Sequence, residues 1–130
     1  MKVEFFWSER NGEYYPECKS ELLMADGVDV LSCLLMDDGG TGFDCSIEWI
    51  NEGIALLGAA LAEGTEGDWG RESWAIHFEG ESARIYFMDE ESYGACLGTK
   101  YFESVLVGWR DFLGRRDHGE RAVIDLFSTC

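Results

Sequence analysis

Apolar positions along the chain recur with two periods, and the places where one gives way to the other outline the elements. Glu4 to Ser8 and their flanks are dense in aromatic side chains. Tyr14-Tyr15 and Pro16, the only proline, follow after Arg10-Asn11-Gly12. Aromatic and β-branched residues suit a pleated surface, and Asn-Gly supplies the backbone angles of a tight hairpin. The pattern predicts two strands joined by a turn, with the proline at an edge or a strand start. Leu22-Leu23-Met24 and Val28 to Met36 are apolar runs parted by Asp26-Gly27, too short to fix a period, and are read as strands.

Asp37-Asp38-Gly39-Gly40-Thr41-Gly42 breaks any regular element, because its glycines admit positive φ angles; it predicts a loop. Beyond it Ile47, Ile50, Ile54, Leu57 and Leu61 step by three and four. This is the stripe of a core-facing helix, with Asp44 or Ser46 placed to cap it and Gly64 to close it. Glu63 to Gly70, glycine-rich around Trp69, predicts a second, flexible loop. Trp74, Ile76 and Phe78 then alternate with polar neighbours, as do Ala83, Ile85 and Phe87 beyond Glu79-Gly80-Glu81, a hairpin pattern. After the acidic cluster Asp89-Glu90-Glu91, a second stripe runs through Phe102, Val105, Leu106, Trp109, Phe112 and Leu113. Thr99 is its predicted N-cap, and Arg115 and Arg116 suit its C-terminal dipole. Ala122 to Phe127 is apolar enough to pack back as a strand or a short helical turn. The expected class is α+β: one domain over residues 1–130, a mainly antiparallel sheet with two amphipathic helices on one face.

Composition agrees, since 46% hydrophobic and 14% aromatic residues can build a core. Charge changes the picture more. The formal net charge is −16, and all of that excess lies upstream of Lys100. No Lys or Arg occurs between Lys19 and Arg71, a stretch holding eleven carboxylates from Glu21 through Asp68. Such a surface repels phosphate backbones and anionic lipid, so direct nucleic-acid binding and membrane binding are the classes it argues against. The start has no secretory pattern, and the longest apolar stretch, Gly53 to Ala62, is about half of a bilayer span.

Motifs for chemistry are sparse. Cys18, Cys33, Cys45, Cys96 and Cys130 form no C-x-x-C pair, which argues against a zinc or dithiol site and for reduced thiols in a cytoplasmic protein. Neither His77 nor His118 has a nucleophile motif beside it, and no phosphate-binding glycine loop is present. The segments Asp26 to Asp29 and Asp37 to Asp44 lack calcium-loop spacing. The expectation is therefore no cofactor, no metal and no catalysis.

One constellation breaks a local rule. On the first long helix Glu48 and Glu52 stand one turn apart, opposite the apolar stripe, and Glu63 sits against the helix dipole. The flanking loops add Asp37, Asp38 and Asp44 on one side and Glu66, Asp68 and Trp69 on the other. Together these predict a partner-binding face with Trp69 as its anchor, a lid over the core being the alternative role for that tryptophan.

In size, acidity, odd cysteine count and an α+β order ending in a helix such as Tyr101 to Leu113, the chain resembles small acidic bacterial immunity proteins. The resemblance rests on these features rather than on a residue motif, so it transfers no residue role. It implies a protein that tightly binds and neutralises a toxin domain, and where the toxin is a nuclease its basic groove is met by acidic side chains. Two alternatives stand beside it. A DNA mimic would inhibit a DNA-binding protein with carboxylates spaced like phosphates along one long face. A small carboxylate-dependent enzyme would need a deep pocket and an acid of raised pKa.

Overall fold

Asn11 and Gly12 both take positive φ, 53° and 81°, and make the two-residue turn that joins β1 (Lys2–Arg10) to β2 (Glu13–Ser20). This is a computed structural model that describes all residues except Thr41 and 126–130, with the backbone alone of Asp44. β7 (Ala122–Asp125) pairs antiparallel with the other side of β1, giving a sheet of order β2-β1-β7. Pro16 sits on the edge strand, where its missing N–H costs no ladder bond. β3 (Glu66–Gly70), β4 (Trp74–Glu79), β5 (Ser82–Phe87) and β6 (Glu90–Gly98) form a second sheet in sequence order, also antiparallel. The α+β class is as expected, with the strands divided between two sheets.

The helices are α1 (Val30–Leu35), α2 (Ser46–Glu63) and α3 (Thr99–Arg115). α3 packs on strands of both sheets. Its Trp109 and Phe112 meet Phe5 of β1 at ring separations of 5.1 and 5.8 Å, and its Phe102 approaches Trp69 of β3 at 6.2 Å. One hydrophobic cluster therefore runs from Val3 through Leu113. No helix among the described residues is long and apolar enough to cross a membrane.

Several local readings need correction. Val28 to Met36 is not a strand: Val30, Leu31, Leu34 and Leu35 line one buried side of α1, and the Asp29 carboxylate caps it by accepting from Ser32 N at 3.0 Å. Leu22 to Met24 contributes only the isolated bridge Leu23↔Asp29. α2 ends at Gly64, φ 68°, as its sequence requires, but a 3₁₀ turn, Phe43–Cys45, leads into it. Ser46 is then a buried first residue and not a cap. Likewise Gly98 occupies the N-cap position of α3, and Thr99 is buried one residue inside.

β6 was not foreseen, and it depends on Gly94, since a Cβ there would lie 2.1 Å from the Ile85 carbonyl oxygen beside the β5–β6 irregularity. Cys18, Cys33 and Cys45 are free thiols, Cys18 buried and Cys45 exposed, whereas Cys96 is disulfide-bonded, so the reading of every cysteine as reduced does not hold. Cys130 and the end of the predicted 122–127 segment lie outside the described residues.

Candidate functional site

Pairing with β4 turns the supposed loop around Trp69 into strand β3, and strand alternation then sorts its residues to two sides. Trp69 points inward and is 4% exposed. It stacks on Trp49 of α2 at 4.2 Å and 19°, and its Nε1 donates to the Trp49 carbonyl at 3.2 Å. Trp49 Nε1 donates in return to the Gly70 carbonyl at 3.0 Å. Gly53 makes this approach possible, because a Cβ there would meet the indole at 2.6 Å. Trp69 thus covers the core, the alternative role its sequence context allowed, and is not a surface anchor.

Glu66 and Asp68 alternate with Trp69 and so stand on the face of the sheet turned away from α2. There Asp68 is opposite His77, and Glu66 is opposite Glu79. His77 Nδ1 lies 2.9 Å from Asp68 Oδ1, and Nε2 lies 3.4 Å from Glu66 Oε2. The hydrogen bond to Asp68 is the main cause that raises the imidazole pKa above its ordinary value, against a smaller opposing effect of burial. Arg84 is opposite His77 on β5 but donates to the carbonyls of Glu91 and Ser92 at 2.8 and 3.0 Å. Asp68, His77, Arg84, Tyr86 and Glu91 line a shallow hollow of about 310 Å³.

The loop acids have local work. Asp37 accepts from Ser73 N and Trp74 N at 2.8 and 3.0 Å, fastening the loop to the start of β4. Asp38 accepts from Gly40 N at 2.8 Å, and its carbonyl accepts from Arg71 at 3.1 Å. The Asp44 side chain lies outside what the structure describes. On α2, Glu48, Glu52 and Glu63 are exposed, without an ion-pair partner among the described residues. Between them Ala55, Leu56, Ala59 and Ala62 are also exposed, Leu56 by 42%. The predicted single face therefore separates into an α2 surface with acidic ends, an outer-sheet cluster on the opposite side of β3, and two aspartates that hold a loop.

Sequence reasoning missed His77, Glu79 and Arg84 as members of that cluster, because only strand register brings them beside Glu66 and Asp68. It also missed a cleft of about 720 Å³ lined by Tyr14, Tyr15, Phe43, Trp109, Leu113 and His118, among others. Tyr14 and His118 stack there at 4.2 Å. Comparison with family models, with curated proteins and with solved structures gave no match.

Proposed function

We propose that this protein is a binding protein that grips a basic protein partner through the exposed surface of α2, in the manner the immunity-protein resemblance implies for a toxin domain, a nuclease foremost. The observation that carries the reading is the unneutralised set Glu48, Glu52 and Glu63, arranged along a helix whose exposed middle is Ala55, Leu56, Ala59 and Ala62. Interfaces commonly combine an apolar centre with a polar rim, and unpaired charge steers the encounter with an opposite charge. Asp37, Asp38, Glu66, Asp68 and Trp69 drop out of this surface for the reasons above.

The DNA-mimic alternative needs carboxylates in one long row, and Glu66 and Asp68 point away from the side that bears Glu48 and Glu52. Co-expression with the product of the adjacent reading frame tests the reading. A basic partner should co-purify, and Glu48→Lys/Glu52→Lys should slow its association about tenfold or more at low salt. Recovery of no basic partner, or an association rate indifferent to both substitutions, would overturn it.

A further inference from the structure

The outer face of the four-stranded sheet carries different chemistry, which does not rest on the partner-binding reading. Glu66 and Glu79 are directly opposite each other on β3 and β4, a register in which two carboxylates repel. His77 brings its ring to the same place, and one donor atom from each of Glu66, His77 and Glu79 lies within 4.8 Å of the others.

The two ring nitrogens have different partners. Nδ1 faces Asp68 Oδ1 at 2.9 Å, while Nε2 faces Glu66 Oε2 at 3.4 Å. In the neutral ring with its proton on Nδ1, that N–H donates to Asp68 and leaves the Nε2 lone pair directed at the glutamates. Metal-bound imidazoles are held in this way: a carboxylate takes the outer N–H, fixes the tautomer and raises the basicity of the ligating nitrogen. The 3.4 Å between His77 Nε2 and Glu66 Oε2 agrees with this, since two ligand atoms each about 2.0–2.1 Å from a tetrahedral ion lie about 3.3 Å apart.

We infer that Glu66, Nε2 of His77 and Glu79 form a binding site for a zinc-class divalent cation, with Asp68 as the residue that positions His77. An imidazole in the donor set selects zinc and its neighbours over calcium or magnesium, and two carboxylates balance the charge of the ion. All three ligands sit on hydrogen-bonded strands, so the backbone ladder sets their spacing.

Metal-free full-length protein titrated with zinc chloride at about pH 7.5, near the top of the ordinary histidine range, tests this by calorimetry, with cobalt(II) absorption in parallel. One equivalent should bind, with a cobalt spectrum without a thiolate charge-transfer band. His77→Gln and Glu79→Gln should each abolish saturable binding while far-UV circular dichroism stays unchanged. Asp68→Asn should weaken binding about 10–100-fold, and Glu48→Gln/Glu52→Gln should leave it alone. No saturable binding, binding that survives His77→Gln, or a thiolate band from a cysteine site would overturn the inference.

Discussion

Around the three-stranded sheet and α3, carboxylates meet cations: Glu4 takes Lys2 and Arg121, Glu17 takes Arg10, and Glu120 takes Arg115. Across α2 and the four-stranded sheet, Glu48, Glu52 and Glu63 have no such partner among the described residues, and Arg84 gives its guanidinium to backbone carbonyls instead. Exposed ion pairs add little stability each, so the contrast matters less for folding than for what remains available outside. One side has neutralised itself. The other keeps its field, and the proposed basic partner would meet it there.

The largest expected effect falls on the packing that holds the acidic side in shape. Trp69→Ala should lower unfolding free energy by about 3–5 kcal/mol in urea, because it empties the site between Trp49 and Phe102. A change near zero would return Trp69 to the surface and restore the single face the sequence suggested.

Next comes the seam between the two sides. Asp29 caps α1 and also accepts from Ser20 N and Ser20 Oγ of β2, both at 2.6 Å. Asp29→Ala should cost about 2–3 kcal/mol, the lost cap plus the unsatisfied polar groups of buried Ser20. Retention of full stability would mean that the halves are joined by apolar contact alone.

Smaller, and of opposite sign on the two sides, are the surface charges. Glu4→Gln should destabilise by about 0.2–1 kcal/mol, since it strips a partner from Lys2 and Arg121. Glu52→Gln should stabilise by about 0.2–0.5 kcal/mol through relief of the one-turn repulsion with Glu48, which lies in the first turn of α2 where the helix dipole favours a carboxylate. Unfolding midpoints that move in the same direction would erase the contrast.

The smallest effect concerns His77, whose pKa is raised in the folded chain mainly by Asp68. A raised basic group stabilises the fold fully below its ordinary pKa, and that contribution disappears as pH climbs through the folded value. In metal-free buffer the stability difference between wild type and His77→Gln should thus be present at about pH 5.5 and gone by about pH 8.5. A difference that grows with pH instead would reverse the assigned role of Asp68.

Much of the fold was legible because it is encoded locally. The β1–β2 turn follows from Asn11-Gly12, α2 from a three-and-four stripe stopped by Gly64, the β4–β5 hairpin from alternation around Gly80, and α3 from the stripe between Phe102 and Leu113. α1 was misread because six residues span less than two turns and its cap, Asp29, resembles any turn aspartate. β3 and β6 were missed because glycine-rich, charged strands carry little alternation and exist through the neighbours they pair with.

The sequence alone therefore determined the amount of acidity, its confinement upstream of Lys100 and the elements with a strong period, since charge count and turn angles are properties of short segments. Tertiary structure decided which side each carboxylate faces. The pairing of β3 with β4 sent Trp69 inward and Glu66 and Asp68 outward, away from Glu48 and Glu52, and set Glu66, Glu79 and His77 together. A strand's inward and outward faces are fixed by its partner, and its partner is fixed by the whole fold.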